Sequence, residues 1–360
     1  MGAMISHKPV PMVIDLIAND GSPIGVIPPD IYGKGVGGAE LAMMSLMETF
    51  ADRGHKVTVY NDPSTVSEYN GVQYEHRRHF NSRGHRDVLI VFRSPNPLLV
   101  GAYSKIAKVW WSTDQYTVGS FKALSEMVDF CVTISPYHTN YHLKHYGVDP
   151  KKIGHIDIGV RLQDYDERVE KIKNRLIYCS VPDRGLAVLH SSWPLIQREI
   201  PGVTLTITSD YTLWGVTAND GSHRLNWAGM TGVNYLGNVS RAELVKLQMQ
   251  AELMAYPCTY EELFCVSVAE CQVAGALPFT TSIGALPTTN QFGIVVSGNL
   301  HNPATLREAF VDRVVSLLKD ERDLLESKIK HMQTGARLRF DWNRIAEKWE
   351  YLFQHGRLPE

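Results

Sequence analysis

The sequence predicts an α/β protein of two doubly wound domains, each a parallel sheet covered by helices on both faces. Apolar, strand-length runs alternate with amphipathic stretches through the first half, and a second alternating set begins near Leu176 after a charged interruption. A chain of 360 residues is long for one hydrophobic core and comfortable for two.

In the first domain the expected strands are Val13–Ala18, Val57–Asn61, Val88–Phe92, Lys108–Trp111, Phe130–Ile134 and Ile153–Ile158. Between the first strand and the helix that follows Gly38 runs NDGSPIGVIPPDIYGKGVG, rich in glycine and proline. A connection that long is usually either disordered or a mobile binding element, and its place at the carboxyl end of a strand favours binding. The domain boundary is expected in RLQDYDERVEKIKN, Arg161 to Asn174, a charged, glycine-free stretch that links rather than packs. The domains then span 5–165 and 166–338, with 339–360 as a terminal helix.

The second domain's expected strands are Leu176–Cys179, Val203–Thr208, Val233–Leu236, Leu253–Tyr256, Leu277–Thr281 and Ile294–Val296. Ser240 and Glu243 have capping-box spacing and open the helix ahead of Leu253. After Asn302 the chain reads as helix almost to its end, and Trp342–Phe353 gathers aromatic and aliphatic residues on one face.

Lys plus Arg is 36 against Asp plus Glu at 38, so a net charge of −2 gives no global attraction to nucleic acid or to an anionic membrane. Cys131, Cys179, Cys258, Cys265 and Cys271 are odd in number and lack C-x-x-C spacing, which fits a reducing, cytoplasmic setting. No apolar run approaches the ~18 residues of a membrane span. The amino terminus lacks a secretory pattern, and Met1-Gly2-Ala3-Met4 reads as a vector remnant.

The chemistry concentrates in YPCTYEELFCVSVAECQVAGALPFTTSIGALP. Glu262 and Glu270 flank a segment, Phe264-Cys265-Val266-Ser267, that reads as a loop turning into a helix near Ser267, with Gly275 as its stop. The first turn of such a helix offers free N–H groups and a positive dipole end to a diphosphate. Two carboxylates beside an anion make sense when they accept from neutral hydroxyls, Glu262 from a transferred sugar and Glu270 from a ribose. A plainer account of Glu270 stands beside this one: Ser267-x-x-Glu270 is also a capping box.

Gly33-x-Gly35-x-x-Gly38 has the letters of a dinucleotide fingerprint without its context, since a long loop separates it from the strand. Gly37 and Gly38 are better read as letting backbone N–H groups approach a phosphate, with a plain hinge as the alternative. Arg184, between a strand and a helix, places a permanent cation where a leaving diphosphate needs one, or else forms an ordinary turn. His138, His142 and His145 share one side of a helix with Tyr141 and have no carboxylate among them, so a surface helix with a partly buried aromatic edge is expected there rather than a metal site. In HRRHFNSRGHR, Arg77, Arg78, Arg83 and Arg86 are expected in a solvated loop, with contact to an anionic acceptor or lipid headgroups as the sharper hypothesis.

The glutamate segment resembles the donor motif of the retaining family-4 glycosyltransferases, a GT-B group, and four further stretches fall in that family's order. They are Gly37-Gly38-Ala39-Glu40 with the helix and Arg53-Gly54-His55 turn behind it, VTISPYHTNYHLKHYGV with IDIGV, YCSVPDRGLAVLHSSWPLI, and VNYLGNVSRAELVKLQMQAELMAYP. The resemblance runs from Val13 to Phe353. Thr113-Asp114 stands where the family usually has His-Asp, Cys179-Ser180 where it has Gly-Arg, Arg184-Gly185 where it has Lys-Gly, and Thr288 where it often has glutamate.

The resemblance implies a GT-B fold, two Rossmann-like domains facing across a cleft, the last helix crossing back to the first. It implies transfer of a hexose from a nucleotide diphosphate sugar to a carbohydrate or lipid-linked acceptor with retention, without a metal or other cofactor; Asp164-Tyr165-Asp166, away from any strand end, agrees with metal independence. Glu262, Arg184 and Asp114 are the catalytic candidates. Gly37, Gly38, Phe264, Cys265, Val266, Ser267 and Glu270 are the donor-binding ones. Two other classes stay open, a non-catalytic nucleotide-sugar-binding scaffold and a nucleotide-sugar epimerase; a nicotinamide oxidoreductase fits worst.

Overall fold

A computed structural model describes residues 9–19, 24–33, 35–93, 102–116, 119–212, 220–296 and 302–359; the vector-like Met1–Met4 lies outside them. The chain divides into two compact units, one comprising Met1–Pro29, Ala39–Gly159 and Trp342–Glu360, the other Asp30–Gly38 and Val160–Asp341.

In unit 1 the sheet holds β1 (Val13–Asn19), β2 (Lys56–Tyr60), β3 (Ser67–Tyr69), β4 (Val72–Glu75), β5 (Val88–Arg93), β6 (Ala107–Trp111), β7 (Phe130–Thr133) and β8 (Ile153–His155), in the order β3-β4-β2-β1-β5-β6-β7-β8. All neighbours are parallel except β3 and β4, which form a hairpin. That hairpin was not among the expected strands. Its turn is Asn70-Gly71, with φ of 50° and 74°, the left-handed pair that a tight hairpin turn needs.

The sheet reverses direction of growth between β1 and β5, and Ile14, Leu16, Ile17, Leu89, Ile90 and Val91 are fully buried there. Continuous burial of neighbouring residues, rather than alternation, is what a sheet covered on both faces produces. The long connection after β1 is not structureless: it contains helix α1 (Pro28–Tyr32) and groups with unit 2 over Asp30–Gly38. Helix α2 (Gly38–Asp52) follows, then α3 (Phe121–Glu126) and α4 (Pro136–Tyr146).

Helix α4 exposes Asn140, Lys144 and His145, as a surface helix does, but one face is buried more deeply than the partly buried edge expected of it. His138 and His142 are fully buried, because Trp110 and Phe121 pack edge-on and Tyr146 at a tilt around His142 and make a core of that face. His142 Nε2 meets Ser112 Oγ at 2.9 Å, and His138 Nε2 donates to the Asp114 carbonyl at 3.3 Å. Burial lowers the His142 pKa to about 4, and burial with the neighbouring His142 holds His138 well below the ordinary range. Both rings bind protons more readily in the unfolded chain. Stability is therefore complete above about pH 6.5 and is lost as pH falls toward 4, His142 alone accounting for about 3 kcal/mol. His142→Asn is expected to flatten the fall in melting temperature between pH 7 and 4.5, and an unchanged slope would refute this account.

The basic stretch after β4 also differs from a solvated loop. Arg86 is buried and donates from Nε to Asp15 at 2.6 Å, from Nη2 to the Asn81 carbonyl at 2.6 Å and from Nη1 to the Tyr103 carbonyl at 2.8 Å, with its guanidinium over Phe80. Arg77 is paired with Asp62. Arg78 and Arg83 remain exposed.

The terminal helix, which belongs to unit 1, is set by one carboxylate. Glu350 accepts from Arg53 Nε at 2.6 Å and from His55 Nε2 at 3.0 Å. His55 Nδ1 accepts the Met12 N–H, so its proton sits on Nε2, facing Glu350. Trp349 meets Trp111 edge-on and Phe353 reaches Phe50.

Unit 2 holds β9 (Arg175–Tyr178), β10 (Thr204–Ile207), β11 (Val233–Tyr235), β12 (Leu253–Tyr256), β13 (Leu277–Thr281) and β14 (Ile294–Val296), all parallel in the order β11-β10-β9-β12-β13-β14. Its helices are α5 (Leu186–Glu199), α6 (Asp220–Trp227), α7 (Arg241–Gln250), α8 (Val266–Ala274), α9 (Leu286–Thr289), α10 (Pro303–Lys319) and α11 (Arg322–Arg339); the terminal helix, α12, is Trp342–His355. Ser240 caps α7, its hydroxyl accepting from the Glu243 N–H. This is the doubly wound order with a switch point between β9 and β12.

The charged stretch Arg161–Asn174 packs on this unit instead of merely linking. Tyr165 is buried and donates to Gln248 Oε1, and Lys171 Nζ donates to the carbonyls of Met249, Ala251 and Ala274, closing the ends of α7 and α8. The charges are spent on helix ends and buried carboxylates, so composition alone misreads the segment. Among the described residues no helix is long and apolar enough to cross a membrane.

Candidate functional site

In a doubly wound sheet, ligands gather beyond the carboxyl ends of the strands at the switch point. In unit 2 that place lies after β9 and β12, and the loops there carry Arg184 and Glu262.

Two glycines force these loops together. Gly185 has φ of 121°, and a side chain on it would collide with the Pro257 carbonyl, so the Arg184 turn lies directly on the chain leaving β12. Gly284 has φ of 57° and presses on the backbone of Glu262, whose carbonyl accepts the Ala285 N–H at 2.7 Å. The Glu262 carboxylate therefore projects from a backbone clamped on two sides.

Its Oε1 accepts from Arg184 Nη1 at 3.0 Å and from Tyr256 Oη at 2.6 Å, and Tyr256 in turn meets Ser180 Oγ at 3.2 Å. The Arg184 guanidinium lies 3.5 Å from the Tyr260 ring centre. Burial works against the Arg184 charge, but Glu262 foremost, with Tyr256, Tyr260 and Asp183, outweighs it and leaves its pKa raised. Tyr256, Tyr260 and Ser180 were not legible as site residues. The fold connects them to Glu262, Tyr256 by its hydroxyl, Ser180 through Tyr256, and Tyr260 through its carbonyl on the Glu262 N–H and its ring under Arg184.

Helix α8 starts at Val266, with Cys265 ahead of it at φ 76°, a left-handed conformation that costs about 1 kcal/mol or more for a residue with a side chain. The helix's own bonds begin with the N–H groups of Val268 and Ala269 on the Cys265 carbonyl, which leaves those of Val266 and Ser267 ahead of the ladder. Two such donors with a helix dipole behind them are what a helix start offers to an anion. Ser267 lies inside the helix and makes no cap. The capping-box account of Glu270 thus fails: its carboxylate turns to Arg241 Nη1 at 2.5 Å and Gln248 Nε2 at 3.3 Å, where it is buried. Phe264 is buried against Phe340, so any share it has in ligand contact comes through its backbone.

Gly37 and Gly38 belong to the stretch of residues 30–38 that groups with unit 2, and a Cβ at Gly38 would stand 3.1 Å from Val266 Cγ2. The glycine loop thus lies beside the helix start.

Asp114 belongs to unit 1, beyond β6. Both its oxygens are gripped by Arg93, at 3.0 and 3.1 Å, and Arg93 Nη1 also meets Glu40 at 2.6 Å. Arg93 ends β5 in a left-handed conformation, φ 66°, with Trp110 Nε1 on its carbonyl. No sequence signal marks Arg93 as the partner of Asp114; its strained backbone emerges only in the fold.

No family model matches the chain, and no curated protein matches it in sequence. Among solved structures the chain is similar to a glycosyltransferase from Rickettsia africae, with 15% identity and a TM-score of 0.70 over 96% of this chain and 98% of that one. It is similar to sucrose-phosphate synthase from Thermosynechococcus elongatus, with 15% identity and a TM-score of 0.67 over 95% and 98%. It is also similar to HepE of Anabaena in complex with UDP-glucose, with 15% identity and a TM-score of 0.65 over 93% and 97%. With both Rossmann-like parallel sheets matched over nearly the whole length of these chains, the protein has the GT-B glycosyltransferase fold.

Proposed function

We propose that this protein is a retaining glycosyltransferase that moves a hexose from a nucleotide diphosphate sugar to the hydroxyl of a carbohydrate or lipid-linked acceptor. One observation carries the reading: a clamped carboxylate, Glu262, stands at the switch point of a parallel sheet together with a permanent cation, Arg184. HepE, a protein of the same fold, has been solved in complex with UDP-glucose.

Glu262 accepts hydroxyls of the transferred sugar. Arg184 and the N–H groups of Val266 and Ser267 take the diphosphate, whose growing charge they stabilise as the glycosidic bond breaks. Glu270 faces the ribose, and Gly37 and Gly38 bring backbone donors to the phosphates. The acceptor oxygen approaches the face from which the diphosphate leaves, which retains configuration and lets the departing phosphate receive the acceptor's proton. Asp114, fixed by Arg93, is the candidate for orienting the sugar or the acceptor. Arg184 and the helix start do the work of a divalent metal in this scheme, so activity is expected to survive chelation by EDTA.

Thermal-shift titration with UDP-, GDP- and ADP-sugars tests donor binding, since a ligand of the folded state alone raises the melting temperature. NMR of the product then reads the anomeric configuration. No shift with any donor, or an inverted product, would overturn the proposal. Contact with an anionic membrane rests on Arg78 and Arg83, because Arg77 and Arg86 are engaged in ion pairs. Unchanged binding of the double alanine variant to phosphatidylglycerol vesicles would remove that contact.

A further inference from the structure

Behind α8, four charged side chains from three places in the sequence meet almost without exposure. Arg241 joins Glu270 at 2.5 Å and Asp164 at 2.9 Å, and Arg161 lies 4.0 Å from Asp164. Two cations and two anions balance. Burial works against the charge on Arg241, and Glu270, with Tyr165 and Asp164, outweighs it. Tyr32 joins from outside the cluster: its hydroxyl donates to Asp164 Oδ1 at 3.1 Å and accepts from Arg161 Nη2 at 3.3 Å.

Tyr32 lies in the segment 30–38, which also carries Gly37 and Gly38. That segment therefore reaches α8 twice, directly where Gly38 meets Val266 and indirectly through Tyr32, Asp164 and Arg241 to Glu270. A buried ionic cluster stabilises a fold no better than apolar packing of the same volume, so stability gives no reason for it. Directional bonds do give one, because they fix where a carboxylate points.

We propose that Arg241 is a positioning residue of the donor site, which aligns Glu270 toward the ribose hydroxyls and, through Asp164 and Tyr32, ties the glycine-bearing segment to that same carboxylate. The inference rests on the donor-site reading above. It adds a residue outside the glutamate motif and a physical link between two motifs far apart in sequence.

Calorimetric titration of the full chain with UDP, ADP and GDP, each beside its 2′-deoxy form, tests it. For the diphosphate that binds, the native protein is expected to favour the ribose form about tenfold, the worth of a hydrogen bond to a charged group. Arg241→Lys keeps the charge but not the planar fork that serves two carboxylates, and is expected to reduce the preference to about twofold while affinity for the deoxy form stays near native. A merely structural role would weaken both forms alike. Tyr32→Phe, at a half-exposed position that leaves folding intact, is expected to weaken the ribose form several-fold, and to add nothing when Glu270 is already glutamine; should Arg241→Lys fail to fold, this pair decides. An undiminished ribose preference in Arg241→Lys, or additive effects of Tyr32→Phe and Glu270→Gln, overturns the inference and leaves the donor site standing. Failure of the native protein to bind any of the three diphosphates, or to prefer ribose, removes the donor reading and this inference with it.

Discussion

Glu262→Gln is expected to lower the transfer rate by about 10²–10³-fold while the circular dichroism spectrum and melting temperature stay close to native. Glutamine has the same size and keeps a carbonyl oxygen for the Tyr256 hydroxyl, which is buried and with alanine would keep only its longer contact to Ser180 Oγ. The backbone is held independently of the side chain by Gly284 and by the Ala285 N–H. What glutamine loses is the charge, and with it the strength of hydrogen bonds accepted from the sugar's hydroxyls. If those bonds tighten as the sugar carbon gains positive character, the loss falls on kcat; if they are equal in the bound substrate, it falls on KM. Turnover within a few-fold of native would exclude Glu262 from the chemistry.

The parallel sheets were legible because their evidence is local: buried runs of apolar residues, repeated, with helices between them. The candidate site was legible only where its elements too were local. Glu262, Arg184 and the start of α8 come from short spacings, whereas the partners that fix Glu270 and Asp114 do not. Arg241 lies 29 residues from Glu270, and Arg93 lies 21 from Asp114. Nothing in either sequence neighbourhood names the other member. Burial decided the remaining errors. His138 and His142 look like a polar face until Trp110 and Phe121 close over them, and Arg161–Asn174 looks like a linker until Lys171 is seen across two helix ends. The β3–β4 hairpin is a different case, since Asn70-Gly71 is itself a strong turn signal, hidden only by the shortness of its strands.

Arg184→Met is expected to reduce kcat by about 10²–10³-fold, since it removes the one cation of the β9 turn from the place where leaving-group charge develops. A competing explanation is that Arg184 serves Glu262 alone, as a counter-ion for a carboxylate that is mostly buried. The two accounts separate in a double-mutant cycle. If Arg184 acts only through Glu262, then adding Arg184→Met to Glu262→Gln costs nothing further, because the charge it served has gone. If it also bears on the diphosphate, the double variant falls well below Glu262→Gln alone, and inhibition by the free nucleoside diphosphate weakens in step with the arginine and not with the glutamate. Arg184→Lys should lie between, retaining charge but losing the planar contact with Tyr260. A double variant no slower than the single glutamine variant, with diphosphate inhibition intact, would return the leaving-group role to the helix start at Val266 and Ser267.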